Sequence, residues 1–291
     1  MDERLKRLSD EIDRQDHEGD YTKLLPLTTQ YLELIGEKYG KRSAEYASVL
    51  NDLGGIYRDI GQYGKSEELF IEGTAILAET MGEDNPNYAT SLNNLAGLYR
   101  LMKKYEQSEQ TFLRAIEVYK NALGDGHFLQ ISAMNNLGLL YQDMGKYNEA
   151  ESLHMRCRAA LEKAGDNIIA LASTLNNLAA VAQKTGRNAQ AAELGNRVLA
   201  IYAAELGKEH PLYATALNNI AYSRYQTGDT EGAKSAYIEA EQIIVRRFGE
   251  GSSYHIASLK NLGQIYELTG EKEKAKQYFE KAADLSGKGA V

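Results

Sequence analysis

LNNLAGLYRLMKKYEQSE, residues 92–109, decides how this chain is to be read. Leu92, Leu95, Ala96 and Tyr99 stand at i, i+3, i+4 and i+7, the spacing that gathers side chains on one face of an α-helix. The stretch then recurs. LNDLGGIYRDIGQYGKSEE begins at Leu50, MNNLGLLYQDMGKYNEAE at Met134, LNNLAAVAQKTGRNAQAA at Leu175, LNNIAYSRYQTGDTEGAK at Leu217 and LKNLGQIYELTGEKEKAK at Leu259. The steps are 42, 42, 41, 42 and 42 residues. A fixed period of this length marks a stack of one supersecondary unit, each copy burying its apolar face on the next. One step further back lies Leu8, where LSDEIDRQDHEGDYTK keeps Gly19 and Tyr21 and loses the asparagines. A polar, degenerate unit suits the end of an array, whose outer face meets water.

Each unit reads as two helices. A glycine closes the first in most copies (Gly61, Gly145, Gly186, Gly228, Gly270) and predicts a left-handed residue there; Lys103 is the exception. A second amphipathic stretch follows, as in Tyr105, Phe112, Ala115 and Ile116. Asn85-Pro86 and His210-Pro211 place proline at a first helical position, where its missing N–H costs nothing. Small residues recur four places after the leading residue: Gly54, Ala96, Gly138, Ala179, Ala221 and Gly263. A mid-helix glycine costs about 1 kcal/mol against alanine, so these positions predict close approach of the partner helix. No period-2 alternation argues for strands.

This pattern resembles the tetratricopeptide repeat. The 42-residue step, the LNNLA core and links such as GKEHPLYATALNN are similar to the kinesin light chain subtype. Lys103, Ala182, Arg224 and Lys260 depart from it, the first at the turn glycine, the next two at the core tyrosine and the last at the first asparagine. The resemblance implies an all-α fold, a right-handed superhelical solenoid of about seven antiparallel helix pairs. The expected organisation is a degenerate capping repeat over 1–43, six repeats over 44–285 and a short tail over 286–291.

Paired asparagines in mid-helix need a reason, because asparagine competes with the helix for backbone bonds. At about 100° per residue, with the leading leucine at 0°, the first asparagine falls near 100° and the second near 200°, opposite the core. The outward column is Asp52, Asn94, Asn136, Asn177, Asn219 and Asn261. An amide donates and accepts at once, which suits the backbone of an extended peptide. The competing reading is that the asparagines bridge neighbouring first helices and hold the stack in shape. The resemblance favours ligand contact, since tetratricopeptide grooves commonly hold extended peptides against such asparagines. Three places on, the column runs Gly55, Gly97, Leu139, Ala180, Tyr222 and Gln264; six places on it runs Arg58, Arg100, Gln142, Gln183, Tyr225 and Glu267. Arg58 and Arg100 read as a basic floor able to fork onto ligand carboxylates, and Leu139, Tyr222 and Tyr225 as a more apolar continuation. Leu101 and Leu268 are weaker candidates near the same face.

The composition limits the alternatives. A net charge of −8 over 291 residues argues against broad nucleic-acid binding. Cys157 is the sole cysteine, so no intrachain disulfide forms, and no run approaches the length of a membrane span. The charged first residues lack the apolar core of a signal peptide, and a cytoplasmic protein is expected. His154 and Cys157 share a helix face without the orienting group or oxyanion site that nucleophilic catalysis needs, and two ligands fall short of a zinc site. His127 and His210 occupy matching links, as capping residues do. The expectation is therefore a non-enzymatic adaptor without cofactor or metal, whose partner is a protein or an extended, acidic peptide. A peptide-responsive sensor and a self-assembling scaffold remain as alternatives, the latter through Tyr278, Phe279 and Ala282 of the final unit.

Overall fold

In the computed structural model, which describes residues 3–18 and 21–288, all regular structure is helical. Gly19, read above as the first unit's turn glycine, and the last three residues of the tail lie outside the described residues. The chain divides into two units, 1–144 and 145–291. The first holds α1 (Glu3–Glu18), α2 (Tyr21–Tyr39), α3 (Ala44–Asp59), α4 (Tyr63–Met81), α5 (Pro86–Leu101), α6 (Tyr105–Leu123) and α7 (Phe128–Asp143). The second holds α8 (Tyr147–Ala164), α9 (Ile168–Lys184), α10 (Asn188–Glu205), α11 (Pro211–Gln226), α12 (Thr230–Phe248), α13 (Ser253–Leu268) and α14 (Lys272–Lys288).

Local chemistry sets where the helices begin. Ser43, Asn85, His127, Asn167, His210 and Ser252 each accept a hydrogen bond from a backbone N–H of the first turn that follows, satisfying a donor that has no partner inside the helix. His127 and His210 are therefore caps, with Nδ1 3.3 Å and 3.1 Å from the N–H donors of Leu129 and Leu212.

In five of the pairs the turn has one construction. The residue after the left-handed position donates its N–H to the carbonyl five residues back: Gln62 to Tyr57, Lys104 to Tyr99, Arg187 to Ala182, Asp229 to Arg224 and Glu271 to Tyr266, all at 2.8–2.9 Å. This 6→1 bond is the Schellman closure. Lys103 stands in it at φ 59°, the sole non-glycine residue with positive φ among those described.

Packing follows the repeat. Within each unit, successive helices lie against one another. Phe70 and Phe112, both without exposed surface, fill the space between paired helices. A Cβ added to Gly54 would come 2.9 Å from the ring of Phe70, so the small residue there is a requirement of helix approach.

Candidate functional site

The site is set by which helices touch. Besides sequential neighbours, α3 meets α5 and α5 meets α7 in the first unit; α9 meets α11 and α11 meets α13 in the second. The alternate helices α4 and α6, or α10 and α12, make no such contact among the described residues. First helices are crowded and second helices splayed, so the first helices line the inner side of each stack. The outward column lies on that side: Asp52 and Asn219 are exposed, and Asn94, Asn136, Asn177 and Asn261 are half-buried.

The amides are tied together. Asn136 Nδ2 donates to Asn93 Oδ1 at 3.1 Å, and Asn219 Nδ2 to Asn176 Oδ1 at 2.9 Å. In each case the second asparagine of one repeat bonds the first asparagine of the repeat before. Ser91 Oγ donates to Asn51 Oδ1 at 2.8 Å, so a hydroxyl does the same work nearer the N-terminus. Each asparagine–asparagine bond uses one of the two donors of an amide. At the last step the pattern breaks: Asn218 Oδ1 is buried with no partner.

The surrounding positions differ between the units. In the first, a cavity of about 410 Å³ opens over α3, walled by Asp13 and Asp16 of α1, Tyr21 and Tyr31 of α2, and Asp52, Gly55, Arg58 and Asp59. A second hollow of about 170 Å³, between α3 and α5, shares Asn51, Asp52 and Asn94 with it. Gly55 and Gly97 line this face, and a Cβ on either would meet nothing within 4 Å. In the second unit the floor is wider in side chain: Tyr222 and Leu268 are 41% and 52% exposed, and Tyr225 donates its hydroxyl to Leu268 O at 3.3 Å. Leu139 of the first unit is half-buried, and Leu101 is exposed.

The two arginines of the expected basic floor have partners inside the structure. Arg58 Nε holds Asp59 Oδ1 at 2.8 Å and Arg100 Nη1 holds Asp143 Oδ2 at 2.8 Å. The cavity beside Arg58 therefore presents a surplus of carboxylate. Desolvation, with Asp16 and then Asp13 adding like charge, lifts the Asp52 carboxyl to about 6. The sequence signal for Asp13 and Asp16 was present but unread: one period on, they align with Gly55 and Arg58.

Other candidates resolve plainly. His154 and Cys157 have no exposed surface. Burial pushes the imidazole down to about 4 and the thiol up to about 12, so both are neutral and inert. Among the described residues no group of three or more His, Cys, Asp or Glu side chains could hold a metal ion, and no helix is long and apolar enough to cross a membrane. The C-terminal residues expected to seek a second copy are used internally. Tyr278 stacks on Tyr266 at 5.4 Å, the Phe279 ring covers Gly263, and Ala282 is 1% exposed. A pairing that sequence reasoning missed lies in two links. Gln130 Oε1 accepts from Gly126 N–H at 2.6 Å, and His255 Nδ1 from Gly251 N–H at 3.2 Å. Both polar side chains are buried, and each accompanies a second positive-φ glycine in the link.

An array of helix pairs with an amide-lined inner face defines an α-helical repeat protein. The tetratricopeptide repeat model matches residues 45–121, 87–163, 170–244 and 214–288, and the chain belongs to that family. Solved structures similar to it include kinesin light chain-like repeat proteins. A putative kinesin light chain of Podosopora anserina with nearly identical repeats is 21% identical over 71% of this chain and 98% of its own, with a TM-score of 0.59. BtubC (BKLC) from P. vanneervenii is 26% identical over 70% and 81%, also at 0.59. The apo form of RapI is 16% identical over 98% of both chains, at 0.70. A search of curated proteins finds no match. Tetratricopeptide arrays in general are protein-interaction scaffolds and typically not enzymes.

Proposed function

We propose that this protein is a non-enzymatic, cytoplasmic adaptor that holds an extended peptide segment of a partner along the inner face of its first helices. The observation that carries the reading is the polar floor of the first unit, where two hollows meet at Asn51, Asp52 and Asn94. Gly55 and Gly97 add to it. Each costs about 1 kcal/mol of helix stability and no neighbour within 4 Å requires either. A bare floor lets another backbone approach the amides of Asn94 and Asn136. In the second unit Asn177, Asn219 and Asn261 would do the same, with Tyr222 and Tyr225 supplying apolar contact, as Leu139 would within the first. The inter-repeat bonds of the asparagines serve this reading by fixing the amide planes.

The two roles of the asparagines separate by experiment. Asn136→Ala with Asn177→Ala should weaken peptide binding tenfold or more, each lost bond contributing about 0.5–1.5 kcal/mol. Gly97→Leu fills the floor without touching the core, so it should abolish binding and leave the melting temperature unchanged or higher. If Gly97→Leu binds peptide as the native chain does, the groove reading is wrong and the column is only structural.

A further inference from the structure

We infer that the link between α12 and α13 is a proton-operated joint, in which a proton taken up by the buried His255 ring releases the backbone of Gly251 and opens the turn that leads into the last helix pair. The joint works whether or not the inner face holds a peptide.

The repeat supplies a built-in comparison. His255 and Gln130 occupy one register position, four residues before Leu259 and Met134, and each accepts from the N–H of the glycine four residues earlier. Both glycines have positive φ, 88° at Gly126 and 85° at Gly251, and both acceptors are buried. The other links place Tyr46, Tyr88, Leu171 and Tyr213 here. Only the chemistry of the acceptor differs between the two. Gln130 accepts from Gly126 at 2.6 Å and donates through Nε2 to Asp125 Oδ1 at 3.0 Å, and an amide does not titrate. His255 accepts from Gly251 at 3.2 Å through Nδ1. That nitrogen therefore carries the lone pair, and the ring proton sits on Nε2, 3.1 Å from Glu241 Oε1.

Histidine is the side chain whose charge changes between pH 5 and 8, and here the added proton goes to Nδ1. An Nδ1–H cannot accept. It would face the Gly251 N–H, two donors in a buried space, so the link must move. The opposite edge of the ring behaves in the reverse way. Nε2 keeps its proton, and the imidazolium forms an ion pair with Glu241, whose side chain is 19% exposed. Ring and α12 stay joined while Gly251 is let go. The other charged groups around the joint are weaker influences. Tyr278 of α14 is near enough to feel the Glu241 charge. Lys281 of α14 stands 26 residues on from His255, as Glu72 does from Tyr46 and Glu239 from Tyr213. Lys281 and Glu250 of the link are exposed and screened by water and salt. Arg246 of α12 is held by Glu209, and Arg224, the one charged residue of α11, is turned to Asn196 and Gly232. The helix freed at its start, α13, carries Asn261 of the inner face.

The experiment reads both glycines in one sample. The full chain, labelled with 15N-glycine and 15N-histidine, is followed by NMR from about pH 7.5 to about pH 5.5, the range in which histidine titrates. At the upper end His255 Nδ1 should give the signal of an unprotonated ring nitrogen. On acidification the Gly251 amide should shift in step with the His255 ring. Its protection from hydrogen exchange, corrected for the intrinsic effect of pH, should fall at least about threefold, as loss of one hydrogen bond implies. Gly126, bonded to Gln130, should do neither. His255→Gln should hold Gly251 as Gly126 is held, without a step in that range. Glu241→Gln should move the step to lower pH, because the imidazolium loses its counter-ion. Four results would each overturn the inference: a Gly251 step that persists in His255→Gln, an equal step at Gly126, a ring that stays neutral throughout, or a step that Glu241→Gln leaves in place. The comparison of Gly251 with Gly126 needs no variant, so it decides the matter even if a substituted chain fails to fold.

Discussion

Lys103 and Asp52 show how far a single residue can be read. Lys103 was marked by its column alone, five glycines and one lysine, and it holds φ 59° where those five glycines hold 73–89°. A side chain in that region is strained by roughly 1 kcal/mol. Lys103→Gly removes the strain but frees the unfolded chain, so we expect a net gain of a few tenths of a kcal/mol in denaturant melts. Gly145→Lys should lose about 1 kcal/mol, and a neutral result there would mean the turn tolerates any residue. Asp52 was legible only as a member of the column. Its carboxyl is raised from 3.8 to about 6, first by desolvation and then by the like charges of Asp16 and Asp13 on α1, a whole repeat earlier, and no local pattern reports them. A raised carboxyl favours the folded state fully below about 3.8, and that advantage is lost as pH rises through about 6. Asp52→Asn should therefore stabilise the chain at pH 7.5 by roughly 1 kcal/mol, solvent screening reducing what the shift alone would give. Near pH 4 the gain should disappear; equal effects at both pH values would remove the repulsion from the account.

Within one element, α3, two adjacent glycines have opposite meanings. A Cβ on Gly54 would come 2.9 Å from the Phe70 ring, and Phe70 is fully buried and cannot withdraw. Gly54→Ala overpacks that contact and should cost about 1–3 kcal/mol. Gly55 has nothing within 4 Å, so Gly55→Ala should gain up to about 1 kcal/mol from helix propensity. Thermal melts of the two variants should move in opposite directions, and movement in the same direction would refute the assignment of faces. The wheel separated the pair correctly, because helical period alone sets which residue faces the partner helix. It could not say that Gly55 faces empty space, since that depends on where α1 comes to rest.

For the molecule, stability should behave as a sum over neighbours. Lys104 with Glu67, Arg187 with Glu151, and Lys234 with Glu271 repeat one ion pair between successive repeats at 2.5–2.7 Å. Such half-exposed pairs contribute little each, and apolar burial dominates. Cutting the chain after Phe248 removes α13 and α14 and uncovers α12, whose Ile243 and Ile244 are buried in the intact protein. Burying one such side chain is worth about 1.5–3 kcal/mol. The remainder should stay helical but melt lower by several degrees and bind a hydrophobic dye, as circular dichroism and fluorescence would show. An unchanged melting temperature would mean the last pair adds no neighbour term.

By itself the sequence determined the repeat, the helix pairs, their caps and turns, and the column that faces away from each pair's core. All of these follow from period and from residue chemistry acting within a few positions. Only the tertiary structure decided what the column meets. The hydrogen bonds that tie Asn136 to Asn93 and Asn219 to Asn176 span 43 residues. The pairing of Arg100 with Asp143 spans the same distance and gives that arginine a carboxylate of the next repeat. The gap between α1 and α3 depends on how a degenerate first repeat packs without its asparagines, and packing at that range is set by shape and charge across helices.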